Sequence, residues 1–456
     1  MEKTRMEKFD VIVVGAGTAG CMTAKTLAAA GLKVCLTERK KSDAIGEKIC
    51  GDAIGHHHFV ELGLREPTGK EVERKIEGIR VFSPDNETVF EVKGEKLHGY
   101  LLNRRLFGQR LLKEALDEGA LLLELTQALE PIIEKGFVKG VVAKNLKTNE
   151  KMKLLCQVVV DASGFSAIIR RKLPLEMGID INVENEDVEA CYREIRRLKE
   201  QIDNPNFCNI YLNQQKTPGG YAWIFPKAEN TVNVGLGVSM QKNFPNPKTQ
   251  LYKHFISMPL FKDSEIVNGG AWYDPTRRPL DCMVGNGVAI VGDAACQVNP
   301  IHGGGMGPSM IGGLAAGKTI IEALEKSDVS RKGLWAYNVR YMRSYGIKQA
   351  GLDVFRAFLQ ATSDEDLNYG MKYELITEED LLKASQGEDV RLNITDATSR
   401  VFKGLRKLSF LMKLREAANM MKKVKAWYNV YPATPEGFEE WKKGADELFN
   451  AVKSKF

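Results

Sequence analysis

The sequence predicts an α/β chain: a parallel sheet assembled from separated stretches, an antiparallel sheet inserted between them, and a helical C-terminal part. Three observations carry this prediction. Val11 to Val14 is an uncharged, β-branched run that leads into closely spaced glycines, as expected of a strand buried on both faces. Two later apolar runs, Val158 to Val160 and Val288 to Val291, end in the same kind of loop, Asp161-Ala162-Ser163-Gly164 and Gly292-Asp293. Residues 176–275 differ in character, and from about 331 onward the apolar spacing is helical.

The first stretch, FDVIVVGAGTAGCMTAKTLAAAGLKVCLTER, reads as strand, glycine turn, helix, strand and acid. Gly15, Gly17 and Gly20 have the G-x-G-x-x-G spacing. The first permits the tight turn, the second lets a pyrophosphate approach the backbone, and the third lets the helix pack on the strand. Thr18 to Ala30 supplies a helix whose N-terminus presents free N–H groups and a positive dipole end. Glu38, followed by Arg39, closes the second strand, where a carboxylate accepts from both hydroxyls of an adenosine ribose. These residues make a Rossmann-like dinucleotide site. A glycine-rich crossover without ligand is the competing reading.

Composition excludes several classes. The 456 residues are 43% hydrophobic and 27% charged, an ordinary globular balance, and the formal charge is +6 on 65 basic and 59 acidic residues. That suits anionic ligands or lipid headgroups and is too even for a nucleic-acid partner. The eight cysteines are scattered without a C-x-x-C pair, which indicates a reducing cytoplasmic setting and no zinc site. The uncharged run from Ala294 to Gly317 is broken by Asn299, Pro300, His302 and glycines, so no spanning helix is expected.

Along the chain, Ile76 to Val92 alternates around Ser83-Pro84-Asp85-Asn86 and predicts a hairpin. Arg104 to Glu118 has helical spacing, and Leu121–Leu125 and Val138–Ala143 read as strands. Glu184 to Gln201 reads as a charged helix; Ile210–Leu212, Tyr221–Phe225 and Val232–Val238 read as strands. A long Ala/Gly/Ile helix follows Gly303–Gly307 to about Lys326. The domain division expected is 1–75, 99–175 and 276–330 for the nucleotide domain, 76–98 and 176–275 for the inserted sheet domain, and 331–456 for the helical part.

The three loops at 15–20, 161–164 and 292–307 are expected to converge at the carboxyl ends of one parallel sheet. Asp293, after Gly292, is a natural partner for a ribityl hydroxyl. Gly303, Gly304 and Gly305 let backbone N–H groups approach a flat ring, with Met306 beside it. Together with Asp161 and Gly164 of VVVDASGFSAIIR, this constellation resembles the flavoprotein hydroxylase superfamily, which implies FAD. Within it the chain resembles the archaeal geranylgeranyl reductases (digeranylgeranylglycerophospholipid reductase-like), through KICGDA (48–53), GGYAWIFPKAENTVNVGLGV (219–238), PTRRPL (275–280), NPIHGGGMG (299–307), LDVFRAFLQ (352–360) and NYGMK (368–372). The resemblance implies FAD contacts at Ala19, Glu38, Cys50, Gly51, Ala53, Arg104, Ala128, Asp293, Gly305 and Met306. Arg104 matches a D-R-x-x-F pattern in which Asn103 replaces the Asp. The implied activity is saturation of isolated double bonds in geranylgeranyl diphosphate or geranylgeranyl ether lipids.

An isolated alkene accepts a hydride only if a proton reaches its other carbon, so an acid must stand across it from the flavin. Cys50 is the candidate for that acid, or for orienting the water that supplies it, with Asp52 nearby. A plain packing role for Cys50 is the alternative. Tyr221, Trp223 and Phe225 alternate along a strand and share one face, either lining a prenyl channel or filling sheet core. Arg277 and Arg278 either anchor an anionic head or pair with carboxylates. His56-His57-His58 opens a helix, and three consecutive histidines do not share one helical face, so no metal is expected.

From Val401 to Tyr431, Leu405, Leu408, Leu411, Leu414, Met420, Met421, Val424, Trp427 and Tyr428 make an apolar stripe opposite Lys403, Arg406, Lys407, Lys413, Arg415, Lys422, Lys423 and Lys425. Such a helix lies on an anionic membrane or covers the core with its lysines in water. The partners expected are a geranylgeranyl diphosphate or lipid and an electron donor: NADPH, ferredoxin or reduced deazaflavin. The rival functions are an NAD(P)H- and oxygen-dependent hydroxylase of the same fold, and a non-catalytic flavin or isoprenoid carrier.

Overall fold

The computed structural model describes residues 6–94, 98–241, 243–386 and 407–456. Val11–Val14 lies at the centre of a six-stranded sheet in the order Val284–Gly285, Val288–Ile290, Val158–Asp161, Val11–Val14, Val34–Thr37, Leu121–Leu123. Its pairings are parallel except for the short outer one. The central strands are wholly buried, which is why their sequences carry no alternation. Thr18–Ala29 packs on Met306–Glu325, and small residues permit the approach. A Cβ on Gly313 would lie 2.6 Å from the Ala19 carbonyl oxygen, and one on Gly317 would lie 2.8 Å from the Thr26 side chain. The Ala/Gly composition of both helices follows from that contact. A four-stranded sheet (Met6–Lys8, Lys151–Leu155, Phe137–Asn145, Thr126–Glu134) and a three-stranded one (Ala53–Gly55, Gly99–Leu102, Val72–Ile76) flank this layer.

The inserted sheet has seven strands, ordered Glu265–Asp274, Glu189–Arg197, Thr231–Ser239, Ala222–Pro226, Phe207–Tyr211, Gly78–Phe82, Val89–Lys93. The hairpin 78–93 joins it by a parallel pairing to Phe207–Tyr211. The sheet corrects one expectation. Glu184 to Gln201 is no helix; Glu189–Arg197 is an interior strand, paired on both sides. Its charged residues are satisfied within the sheet, Arg196 Nε donating to Glu194 Oε2 along the same strand at 2.8 Å and Arg193 donating to Asn268 on the neighbouring strand, so tertiary pairing overrides a helix-favouring composition.

The C-terminal part is helical among the described residues. Leu408–Asn429 packs on Ile347–Gln360, and Phe410, Leu414, Met420, Met421, Val424 and Tyr428 are buried. The stripe seen in the sequence therefore faces the core. Lys413, Arg415, Lys422 and Lys423 are exposed; Leu405, Lys403 and Arg406 lie outside the described residues. Leu408 and Met412 stand out from the stripe, exposed at the helix start. No helix among the described residues is long and apolar enough to cross a membrane.

Candidate active site

A cavity of about 770 Å³ opens where the parallel strands end. Its walls include Gly15, Gly17, Ala19, Glu38, Arg39, Asp52, Arg104, Ala128, Gly164, Gly292 and Asp293, so the three loops do converge. The remaining glycines and Asp161 act around it. Gly20 sets helix against turn, because a Cβ there would lie 1.9 Å from the Gly15 carbonyl oxygen. Asp161, expected as a cofactor ligand, is fully buried and spends its oxygens on the following loop. Oδ1 accepts from Ser163 N and Oγ, and Oδ2 from Ile169 N and Arg170 N. It shapes Gly164 rather than meeting a ligand.

The residues present fit an FAD. Gly17 faces open space where a Cβ would stand, leaving the helix N-terminus accessible to a pyrophosphate. Glu38 is fixed at the cavity edge, its Oε2 accepting from Ala16 N at 2.9 Å and its Oε1 from Lys40 N at 2.9 Å. Arg104 Nε and Nη1 are buried without a hydrogen-bond partner, donors awaiting an anion. Asn103 takes the Asp's place without loss. Its side chain caps the helix Arg104–Asp117 by accepting from Leu106 N at 3.1 Å. At the far end Lys48 Nζ lies 2.8 Å from Asp293 Oδ2 and 3.9 Å from Asp274 Oδ1. Burial works against the Lys48 charge, but the two carboxylates outweigh it and hold its pKa above the ordinary value. Gly305 comes beside Asp293, where its Cβ would be 3.3 Å from Oδ1. Gly303, Gly304 and Met306 continue that loop outside the cavity wall.

One face of the inserted sheet covers this end. Glu189, Cys191, Arg193 and Ile195 alternate along one strand, Asp274, Trp272 and Asn268 along its neighbour, and Trp223 and Phe225 two strands away. Between the charged strand and the aromatic one run Gly235 and Gly237. A Cβ on Gly235 would lie 2.5 Å from the Trp223 ring and 2.6 Å from Arg193 Cβ; on Gly237, 2.8 Å from Glu189 Oε2 and 3.4 Å from Cys191 Sγ. The glycines thus let the indole and the carboxyl lie over the strand between them. Glycine within a strand signals such an approach, and VNVGLGV carried that signal.

Tyr221, Trp223 and Phe225 form one aromatic row, with ring centroids 5.9 and 6.2 Å apart. Tyr221 Oη donates to the His302 carbonyl at 2.8 Å, joining sheet to glycine loop. Trp223 Nε1 donates to Asn233 Oδ1 at 2.9 Å. Phe225 packs under Gly51. The backbone carbonyl of Cys50 accepts from Asn233 Nδ2 at 2.7 Å, and Cys50 Sγ accepts from Asp52 N at 3.3 Å. Cys50, Gly51 and Ala53 stand behind the cavity wall that Asp52 completes.

Asp52 differs from the acid it was expected to assist. It is buried, with a left-handed φ of 65°. Its Oδ2 accepts from Lys227 Nζ at 2.7 Å and Asn233 Nδ2 at 3.0 Å. Lys227 also reaches Glu73 Oε2 at 3.2 Å and the Leu102 carbonyl. Held in that ion pair, Asp52 positions the loop. Sequence reasoning missed Lys227, Asn233, Glu73 and Arg193, because their roles depend on strands brought together from distant stretches.

Arg277 and Arg278 do not line the cavity. Arg277 Nη1 is 3.3 Å from Asp187 Oδ2, Arg278 Nη1 is 3.7 Å from Asp353 Oδ2, and Arg278 stacks 3.8 Å over Phe449. Buried guanidinium groups need such carboxylates; these arginines bind the C-terminal helices to the sheet domain. The histidines also diverge. His56 stacks on His98 with centroids 4.5 Å apart, while His58 packs on Gly307. Burial, with the positive charges of neighbouring His57 and Lys348, lowers the His58 pKa to about 3. Among the described residues no group of side chains has the makings of a metal site.

Residues 187–271 match the geranylgeranyl reductase catalytic domain, and residues 10–185 match glucose inhibited division protein A. The chain is 44% identical over 444 residues to digeranylgeranylglycerophospholipid reductase of Sulfolobus acidocaldarius, covering 97% of each. It is 34% identical to the enzyme of that name from Methanothrix thermoacetophila, over 79% of this chain and 90% of the other. In structure it is similar to a geranylgeranyl bacteriochlorophyll reductase-like protein from Thermoplasma acidophilum. That likeness has a TM-score of 0.76 at 23% identity, over 91% of this chain and 100% of the other.

Proposed function

Since the chain belongs to the digeranylgeranylglycerophospholipid reductase family, we propose that it saturates the isolated double bonds in the geranylgeranyl chains of that archaeal lipid. It is a flavin-dependent oxidoreductase with FAD as its cofactor. The observation that supports this best is the continuity of one cavity from the glycine turn, past Glu38 and Arg104, to the sheet residues Arg193, Ile195, Asn268 and Trp272, whose face continues into the aromatic row.

Bound FAD, once reduced, supplies a hydride. The chain's own residues do the rest. Gly15 to Ala19 and Arg104 would hold the phosphates, Glu38 the adenosine ribose, and Asp293, oriented by Lys48, the ribityl end. Tyr221, Trp223 and Phe225 present apolar surface along which an isoprenoid tail lies, and the Tyr221 to His302 hydrogen bond fixes that surface against the glycine loop. Cys50 serves in the second of its expected roles. Its main chain is anchored by Asn233, which fixes the place from which its thiol would orient the water that supplies the proton. Asp52 and Lys227 keep that loop in place.

The electron donor is an exchangeable one of the NADPH, ferredoxin or reduced-deazaflavin class. Substrate reaches the site from the membrane side, and Leu408 and Met412, exposed beside Lys413 and Arg415, are the surface proposed to touch an anionic bilayer. The deciding experiment is anaerobic. Purified yellow protein, reduced with dithionite and given digeranylgeranylglycerophospholipid, yields products heavier by two hydrogens per bond reduced. Product formed only with oxygen would point to the hydroxylase reading, and flavin that stays reduced with every prenyl substrate to the carrier.

A further inference from the structure

Five carboxyl groups cluster toward the end of the cavity covered by the sheet: Asp52, Glu73 and Asp293 in its wall, and Asp274 and Glu189 farther along the sheet face that carries the wall residues Arg193 and Trp272. Four have an ammonium partner: Asp52 and Glu73 share Lys227, and Asp274 and Asp293 share Lys48. The fifth is Glu189. It is 8% exposed, has no cation within salt-bridge distance, and its side chain makes no hydrogen bond among the described residues. It lies over Gly237 beside the Cys191 thiol, directly across the strand pairing from Asp274. Asp274 leads through Lys48 and Asp293 to Gly305.

We propose that Glu189 is the proton donor to the alkene carbon that the hydride does not reach. The inference rests on the reading of the chain as a prenyl double-bond reductase. In the step, the alkene π pair forms a C–H bond with the carboxyl proton while the hydride brings two electrons to the other carbon. The O–H pair stays on Glu189 as carboxylate, and a proton from water restores the acid before the next double bond. The donor must be neutral at working pH, and the site keeps it so. Burial pushes the Glu189 carboxyl up to about 8; the Arg356 charge opposes that rise and the Asp274 charge adds to it. Cys191 on the same strand and Tyr221 face it as neutral groups, both pushed well above their ordinary values by burial. A carboxyl held neutral by its surroundings is a common device for acid catalysis near pH 7.

The test compares Glu189→Gln and Glu189→Asp with the wild-type holoenzyme. Gln keeps the shape and removes the proton, so the rate at which reduced flavin is reoxidised by the lipid, measured anaerobically in a single turnover, falls about 100-fold or more. FAD content and the lipid-induced change in the flavin spectrum stay as in the wild type. Asp recovers part of the rate. The wild-type rate declines as pH rises through about 8, whereas the residual Gln rate does not. Infrared titration of the wild type, which needs no turnover, shows a protonated carboxyl lost over the same range, missing in Glu189→Gln and shifted in Glu189→Asp. A Gln rate within about twofold of wild type, or no such carboxyl, overturns the proposal. If Gln fails to fold, Asp and the infrared titration decide. Wild-type enzyme that forms no saturated lipid overturns the functional reading instead.

Discussion

Lys227 Nζ donates to Asp52 Oδ2 at 2.7 Å across 175 residues of sequence, and both side chains are buried. This pair ties the sheet domain to the loop that carries Cys50. Lys227→Met leaves Asp52 and Glu73 without a cation, which costs about 3–5 kcal/mol for a broken buried pair. The expected outcome is a lower Tm and weaker FAD retention. Asp52→Asn keeps the hydrogen bonds and tolerates the left-handed backbone. Its turnover should fall no more than about tenfold, short of the loss expected of an acid.

Gly235→Ala places a methyl 2.5 Å from the Trp223 ring and 2.8 Å from the Tyr192 carbonyl oxygen. The backbone oxygen cannot yield as a flexible side chain would. Stability should drop by roughly 1–3 kcal/mol in urea titration, and KM for the lipid should rise as the indole is displaced. An unchanged Trp fluorescence with unchanged KM would count against the aromatic row as substrate surface.

Glu189 also predicts a dependence of stability on pH. Its folded pKa, about 8, is raised above the ordinary value, so between the two the folded state binds more protons than the unfolded state. Its contribution is fully present below about pH 4.3 and is lost as pH rises through 8. Glu189→Gln should therefore gain Tm relative to wild type at pH 8.5 and not at pH 5. A difference that is the same at both would show that the carboxyl ionises normally.

Asp187 is ion-paired with Arg277 at 3.3 Å and accepts from Arg356 at 2.8 Å. Burial alone would raise its pKa, but these arginines outweigh that and hold it below the ordinary carboxylate range. Its contribution is present above the ordinary Asp value and fades as pH falls through the lowered one. Asp187→Ala strips two buried guanidinium groups and should cost about 3–5 kcal/mol, read as a fall in Tm at pH 7 that shrinks in acid.

For membrane contact, deleting the chain from Val401 is a poor test. Tyr428 Oη bonds to Asp281 Oδ1 at 2.8 Å and Trp335 Nε1 to the Pro432 carbonyl at 2.9 Å, so the core would open. The double substitution Leu408→Glu, Met412→Glu leaves these intact and should reduce flotation with anionic vesicles. Unaltered flotation would remove that helix end from the interface.

The sequence by itself determined the dinucleotide half of the protein. Gly15, Gly17, Gly20 and Glu38 act through the backbone and one strand end, so their spacing along a single βαβ unit already carries the geometry. The same holds for Asp293 after its strand. Only the tertiary structure decided the chemistry of the covered end. Whether Glu184 to Gln201 is helix or strand depended on neighbours at 231–239 and 265–274. Whether Arg277 meets a ligand or Asp187, whether Asp52 is free or held by Lys227, and which carboxyl lacks a cation were likewise settled by pairings between distant stretches. Charge state in a buried site is fixed by what stands a few ångströms away, and a linear order of residues does not contain that distance.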